Sequence, residues 1–551
     1  MKNKLKDIGV AVVTLALVLA MLVSGCGPSE TEESLAQTQA KLAQAEETLA
    51  ETQTKLAETE ETLAALEEST KQRIVEFEIR EYDAIVIGAG YGGMISAAIL
   101  AKNGMKTAVV EPGDQVGGRS GAVDHDGYWI DYGQKDSRDA SDIIMVMNPP
   151  DLYGQQAAEA AGAEIEMVEV GHIRGHIYPT GEVANLDVHD MESISNYFMQ
   201  MVGVPPEKMT DFMFILADFM ALDPQEYRSV LVEDWLRENV ADEEMHIYVY
   251  RYLTQLYAPP PEKASVGRIA EFFNLPGSTF RANDPEVGGN QGFIEPYARV
   301  VREYGGDIML GQMPIELLVE DGKVQGVVID DKAGNVQELH APVVIFNWVV
   351  WYVLDLVDES LLPEDLVENA RALEQNYNPD TVLCNMGLSR LPTVRATGEP
   401  DDWGGWQRAV MGEERVYGGG WLICSLATPT AAPPGKHLIT FLYCTGGNLD
   451  KSNPPFSSFA EARDKITSTA ITCARDYYSD LDEITEWVSF SYHKGPSEVG
   501  WFFSPVERAP VECPTIEGLY FVGSTTEVIG SYQDLEAHAA LIATEMILNQ
   551  Q

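Results

Sequence analysis

The stretch from Tyr82 to Pro112, YDAIVIGAGYGGMISAAILAKNGMKTAVVEP, constrains the fold more than any other part of the chain. An apolar run passes into three glycines, then a small-residue apolar run, then a β-branched run ending in an acid, which predicts strand, turn, helix and strand. Gly88, Gly90 and Gly93 carry the spacing GxGxxG. The first permits a tight turn, the second lets backbone approach a pyrophosphate, and the third lets helix pack on strand. Tyr91 and Gly92 lie between them, where the N–H groups that open the helix face phosphate. Glu111 ends the second strand 23 residues after Gly88, where a carboxylate accepts ribose hydroxyls. The stretch is a dinucleotide site.

The residues that follow narrow the choice of dinucleotide. PGDQVGGRSGAV brings Gly117, Gly118 and Arg119 directly after the acid. GxGxxG, an acid and then GGR together resemble the flavoprotein superfamily of phytoene desaturases, retinol saturases and flavin amine oxidases. That resemblance implies FAD, with the second glycine pair and the arginine along its pyrophosphate and ribityl chain. It continues through most of the chain beyond residue 80. GYWIDYG, 127 to 133, is similar to the strand after which the family's chain passes the flavin ring, but Gln134, Lys135 and Asp136 stand where many desaturases continue with a Pro-His type sequence. Gly288-Gly289, a helix from Phe293 to Tyr304 and then PIELLVEDGKVQGVVI resemble the return to the nucleotide domain, which implies that Ile315 gives backbone contacts to adenine. ATPTAAPPGKHLITF, 427 to 441, resembles a strand pair of the desaturase substrate domain. ECPTIEGLYFVGSTT, 512 to 526, resembles the closing flavin motif, with Gly523-Ser524 where the family often has Gly-Asp. A helix from about Asp534 to Leu548 follows; its N-terminus, aimed at the flavin pyrimidine edge, would favour the anionic reduced form.

The expected architecture is α/β: a discontinuous Rossmann-like FAD-binding domain from 80–140, 286–351 and 496–551, and an α+β substrate domain with a mixed sheet from 141–285 and 352–495. In the second domain TVLCNMGLS, WLICSLA and HLITFLYC read as strands containing Cys384, Cys424 and Cys444, and HIRGHIYPTGEVANLDV reads as a hairpin. Residues 141–285 are otherwise mainly helical by pattern, and a helix is expected near 458–481. His172 and His176 are four apart, a spacing too long for one ion on a strand, so no metal site is expected. The five methionines within 194–222 suit a core helix pair or a lipophilic face.

The N-terminal residues point outward from the cytoplasm. Lys2, Lys4 and Lys6 precede an apolar run from Ile8 to Val23 of 16 residues, short of the ~20 a spanning helix needs. This is the build of a secretory signal over 1–25. Val23-Ser24-Gly25-Cys26 resembles the bacterial lipobox, which implies diacylglycerol on Cys26; an uncleaved anchor is the alternative. Leu35, Leu42, Leu49, Leu56 and Leu63 then recur every seven residues, so 26–75 reads as a lipid anchor and helical stalk. The alternate seam, Thr38, Ala45, Thr52, Thr59 and Leu66, is mostly not aliphatic. Two readings stand: a weak coiled coil between copies, or a single helix spacing the enzyme from lipid. The expected place is the outer face of the cytoplasmic membrane or the periplasmic side of an outer membrane.

With a formal net charge of -49, the chain lacks the basic face that nucleic acid requires. If FAD carries the hard chemistry, the protein needs only to hold a C–H beside the ring and exclude water. The resemblance places Gln134, Lys135 and Tyr532 near the ring, with Trp501 and Phe502 as chamber walls. The expected activity is hydride transfer to or from a small lipophilic substrate, with a quinone, oxygen or a redox protein taking the electrons. The alternatives are a flavin amine oxidase and a flavin-free lipoprotein carrying an apolar ligand.

Overall fold

The computed structural model describes residues 80–551 except 132–152, 171, 188–189, 256–258, 276–279, 332, 376–379, 445–455, 494–502, 531–532 and 551. The signal, Cys26, the stalk, Gln134, Lys135, Asp136, Trp501, Phe502 and Tyr532 therefore lie outside the described residues.

β1 (Ala84–Ile87), α1 (Tyr91–Lys102) and β2 (Thr107–Glu111) form the predicted strand, helix and strand. Both strands are buried along their whole length, as strands covered on two faces must be. α1 has no polar stripe: only Lys102 of its residues escapes burial. It is covered by the sheet and by two later helices, α3 (Gln291–Glu303) and α4 (Gln533–Asn549), while α2 (Tyr153–Ala161) packs on α1 and α4. β3 (Asp307–Leu310), β4 (Val344–Phe346) and β5 (Leu519–Phe521) complete a five-stranded parallel sheet of order β3-β2-β1-β4-β5. The order reverses at β1, and the glycine turn leaves its carboxyl end. Ligands of open α/β sheets bind in the crevice at such a switch point.

A second sheet of four strands packs beside the first. Met313–Glu320 and Lys323–Asp330 are joined by Asp321 and Gly322, both at positive φ (50° and 74°). Two consecutive positive φ values are what a type I′ hairpin turn demands, and Asp-Gly satisfies it.

The largest sheet has seven strands, in the order Thr485–His493, Thr381–Leu388, His437–Cys444, Val416–Ile423, Trp406–Met411, Ile173–Tyr178 and Glu182–Leu186. All pairs are antiparallel except Trp406–Met411 with Ile173–Tyr178, so the sheet is mixed. HIRGH lies in and beside the hairpin. His176 is buried with Nε2 2.9 Å from Gln407 Oε1, while the His172 ring lies near Trp403. Burial pushes the His176 imidazole down to about 3, so it is neutral.

Two local expectations need correction. Cys424 does not lie in a strand: Val416–Ile423 stops one residue before it, and Cys424 opens a helical turn, Cys424–Ala427. Residues 427–441 are not a strand pair; they hold the Thr428 to Lys436 connection, with Pro429, Pro433 and Pro434, and the start of His437–Cys444. Proline lacks the N–H that a ladder needs. The methionine-rich stretch is a core helix pair as expected, Met191–Tyr197 continued by a π turn, Phe198–Val202, and then Met209–Ala221. Its Phe198 ring meets Phe212 and Tyr252 edge-on in the core.

Candidate cofactor site

The glycine turn is closed by side chains from neighbouring strands. A Cβ at Gly93 would lie 2.2 Å from Gly88 O, and one at Gly90 would lie 2.8 Å from Asn347 Nδ2. Gly88 has φ 95°, and the Trp348 indole lies against it. Asn347, at the end of β4, also donates weakly to Gly88 O at 3.4 Å. The glycines are needed because there is no space for a Cβ, which is how a turn brings backbone close to a ligand.

The second glycine pair lies over the first. Gly117 N–H donates to Ala89 O at 2.8 Å, and a Cβ on Gly118 would be 3.5 Å from Gly90 Cα. Gly117 and Gly118 both have positive φ (127° and 53°), and Gln291 from α3 braces the loop by donating to Val116 O. Arg119 follows on a single 3-10 turn, Gly118–Ser120. Its Nη2 donates to Ser524 Oγ at 2.7 Å and lies 3.5 Å from Glu536 Oε1. The structure thus joins Arg119 and Ser524, 405 residues apart, in one contact.

Glu111 is held from both sides. Oε2 accepts the Ala89 N–H and Oε1 accepts the Gly113 N–H, each at 2.8 Å. This fixes the carboxylate beside the turn. Ile315 lies at a bulge in Met313–Glu320 and is 38% exposed. With Trp348, Tyr352 and Met313 it lines a groove of about 190 Å³. The groove suits one planar base against an indole.

α1 opens with Gly90 as N-cap, no side-chain cap and no acid in its first turn. Its early N–H groups have no acceptor within the helix. The Tyr91 ring points into the core against Phe293 and Tyr297, so that residue offers only backbone here. Gly92 N–H donates to Glu536 Oε2 at 3.2 Å. Glu536 is buried; burial raises its carboxyl, against the opposing pull of Arg119 and the Gly92 N–H. Asp534, also on α4, accepts the Gly154 N–H at 3.1 Å and so ties α2 to α4. Burial pushes its carboxyl up to about 7. Gln533 beside it is 1% exposed, and neither amide atom has a hydrogen-bond partner.

Two buried ionic clusters brace the region. Asp131 ends the strand Tyr128–Asp131, accepts the Asn290 N–H at 2.6 Å and pairs with Arg281. Asp131 thereby fixes the Gly288-Gly289 turn that leads into α3. Glu527, three residues after Ser524, meets Arg228 at 2.6 Å and Arg268 at 2.7 Å. Burial works to raise Glu527, but Arg268, then Arg508 and Arg228, bring its carboxyl down to about 2.

These residues fit a dinucleotide: a cradle with no space for a Cβ at Gly88, Gly90, Gly92, Gly93 or Gly117, an oriented acid for a ribose, and a guanidinium and helix N-terminus for phosphate. One element is out of keeping, the carboxylate of Glu536 on the phosphate-facing amide. Glu536, Asn347, Trp348, Glu527 and the Asp131–Arg281 pair were missed in the sequence. Two had a local signal: Asn347 is an amide ending the apolar run VVIF, and Asp131 is the acid of GYWIDYG, though its pairing with Arg281 was not readable.

The fold is that of the FAD-dependent oxidoreductases, with a Rossmann-like nucleotide domain and mixed sheets. Residues 86–135 match the NAD(P)-binding Rossmann-like domain family. The chain is 23% identical over 430 residues to prolycopene isomerase 1, chloroplastic, of an Oncidium hybrid cultivar, covering 72% of this chain and 69% of that protein. It is 24% identical over 299 residues to the neurosporene-forming phytoene desaturase of Rhodobacter capsulatus, covering 48% and 52%. A solved putrescine oxidase variant superposes with a TM-score of 0.57 at 14% identity, over 86% of this chain and 100% of that one.

Proposed function

We propose that this protein is an exported, lipid-anchored FAD-dependent oxidoreductase that transfers hydride to or from a small lipophilic substrate. The observation that carries the reading is the stacked pair of glycine loops, with Arg119 and Ser524 joined over the helix N-terminus. Similarity to proteins named for prolycopene and phytoene supports an apolar substrate. The lipobox-like Val23-Ser24-Gly25-Cys26 and the leucine repeat support the anchor and spacer.

Bound flavin supplies the hydride-accepting or hydride-donating centre. The chain's own contribution is to hold and to shield. Ile315 and Trp348 take the adenine, Glu111 the ribose hydroxyls, and the N–H groups of the first turn of α1 the phosphates. Arg119 neutralises phosphate charge, and Ser524 holds its guanidinium in place. Gly523 lets the backbone pass close: a Cβ there would lie 2.6 Å from Trp348 O. Gln134, Lys135 and Tyr532 are proposed beside the ring, where Lys135 would polarise a substrate or steer oxygen. A quinone, oxygen or a redox protein takes the electrons.

The absorption spectrum of the full chain purified from membranes tests this reading. Bands of an oxidised flavin, bleached anaerobically by an apolar polyene, are expected. Anaerobic bleaching by amines, with peroxide released when air is readmitted, would instead make the protein an amine oxidase, the activity that the putrescine oxidase likeness brings into view. A colourless protein that ignores added FAD and yields copurified lipid would make it a carrier. For the anchor, Cys26→Ala is expected to move the protein from the membrane to the soluble fraction; unchanged sedimentation would reject lipidation at Cys26.

A further inference from the structure

The glycine turn and the N-terminus of α1 make an anion site, yet the chain places its own anion there. Glu536 projects from the first turn of α4, 444 residues from Gly92 in sequence, and its Oε2 accepts the Gly92 N–H. Its Oε1 faces Arg119. The carboxylate thus sits between the two groups that would receive a pyrophosphate oxygen: a helix N-terminal amide and a guanidinium. The stem of Glu536 packs directly on the turn: a Cβ on Gly92 would lie 3.2 Å from Glu536 Cβ and 2.5 Å from Val522 O.

We propose that Glu536 is a proton-coupled guard of the cofactor site: in the flavin-free protein its carboxylate occupies the phosphate position, and FAD binds with uptake of one proton by Glu536. The inference rests on the FAD reading above. The balance is simple. A pyrophosphate carrying two negative charges enters a buried site that already holds a carboxylate and one guanidinium. One proton from solvent converts the carboxylate to the neutral acid, whose O–H donates to a phosphate oxygen while the Gly92 N–H and Arg119 turn from Glu536 to the phosphate. Burial favours that neutral form before any ligand arrives, and the incoming phosphate favours it further.

Among the described residues that touch the phosphate position Glu536 is the titratable one; Asp534, whose carboxyl lies near 7, titrates in the same range but bonds to α2. From the 3-10 turn Glu536 faces Arg119, which stays charged; from α1 it faces backbone. Glu111, across the turn, is engaged by Ala89 N and Gly113 N. On α4, Asp534 is turned to Gly154 on α2, and His538 stacks on Tyr153 of α2 with Nδ1 2.6 Å from Ile529 O. Ser524 accepts from Arg119 and does not ionise in this range.

The test is FAD affinity of the full chain stripped of flavin, followed by fluorescence quenching from pH 5.5 to 8.5, for wild type and Glu536→Gln. Wild-type affinity is expected to fall up to tenfold per pH unit once the free carboxyl is ionised. Glu536→Gln, isosteric and uncharged, should bind at least tenfold tighter at pH 8 and with little pH dependence. Equal, flat affinities for both proteins would overturn the guard and leave the FAD reading standing. Failure of both to bind FAD at any pH would overturn both. Should the variant not fold, calorimetry of wild type at pH 7.5 in buffers of different ionisation enthalpy decides. Uptake of about one proton per FAD supports the proposal, and none rejects it.

Discussion

At the residue scale, the site depends on atoms that are absent. Gly93→Ala would drive a methyl against Gly88 O, 2.2 Å from its ideal position. Because backbone must move to relieve it, we expect a stability loss of about 1–3 kcal/mol and loss of bound flavin, read by thermal melting and absorbance. Glu111→Ala leaves the Ala89 and Gly113 N–H groups without their carboxylate and removes the ribose acceptor. A 10- to 100-fold weaker FAD affinity is expected by titration, equivalent to about 1–3 kcal/mol. These positions were readable in sequence because spacing alone encodes them: the turn, helix and acid lie within 24 residues, from Gly88 to Glu111. Glu536 was not readable. Helical periodicity gives its face on α4 but not that the face meets Gly92, and an acid in a first turn ordinarily reads as favourable to the helix dipole.

At the scale of elements, α4 is held by charges as much as by apolar contact. Asp534, with its carboxyl near 7 rather than 3.8, retains in the folded state a proton that the unfolded chain releases between those values. Its contribution is therefore full below about pH 4 and lost as pH rises toward 7. Asp534→Asn should remove that slope, so urea unfolding at pH 5 and pH 8 should differ less in the variant than in wild type. Glu527 has the opposite sign. Held near 2 against 4.5, it contributes stability above about pH 4.5 that is lost as pH falls toward 2. Glu527→Gln would take from Arg228, Arg268 and Arg508 the carboxylate that they share, with Glu271 still beside them. A loss of about 3–5 kcal/mol is expected at pH 7, measurable by denaturant titration. Such clusters join segments hundreds of residues apart, so no local pattern announced them. Cys424 shows the same limit at shorter range: its apolar neighbours in WLICSLA read as strand, and only the packing turns the chain at Ile423.

At the scale of the whole molecule, the nucleotide domain is sewn from distant pieces. β1 and β2 come first, β3 and β4 follow some 200 residues later, and β5 and α4 come from the last stretch of the sequence. Ser524, Asn347 and the Gly88 turn belong to three different pieces. During synthesis, the ribosome must have released nearly all of this sequence before a flavin has anywhere to sit. Chains cut before Gln533 should remain colourless whatever the supply of cofactor, and pigment should appear only in chains that include α4. Loading thereby reports that the distant pieces have met.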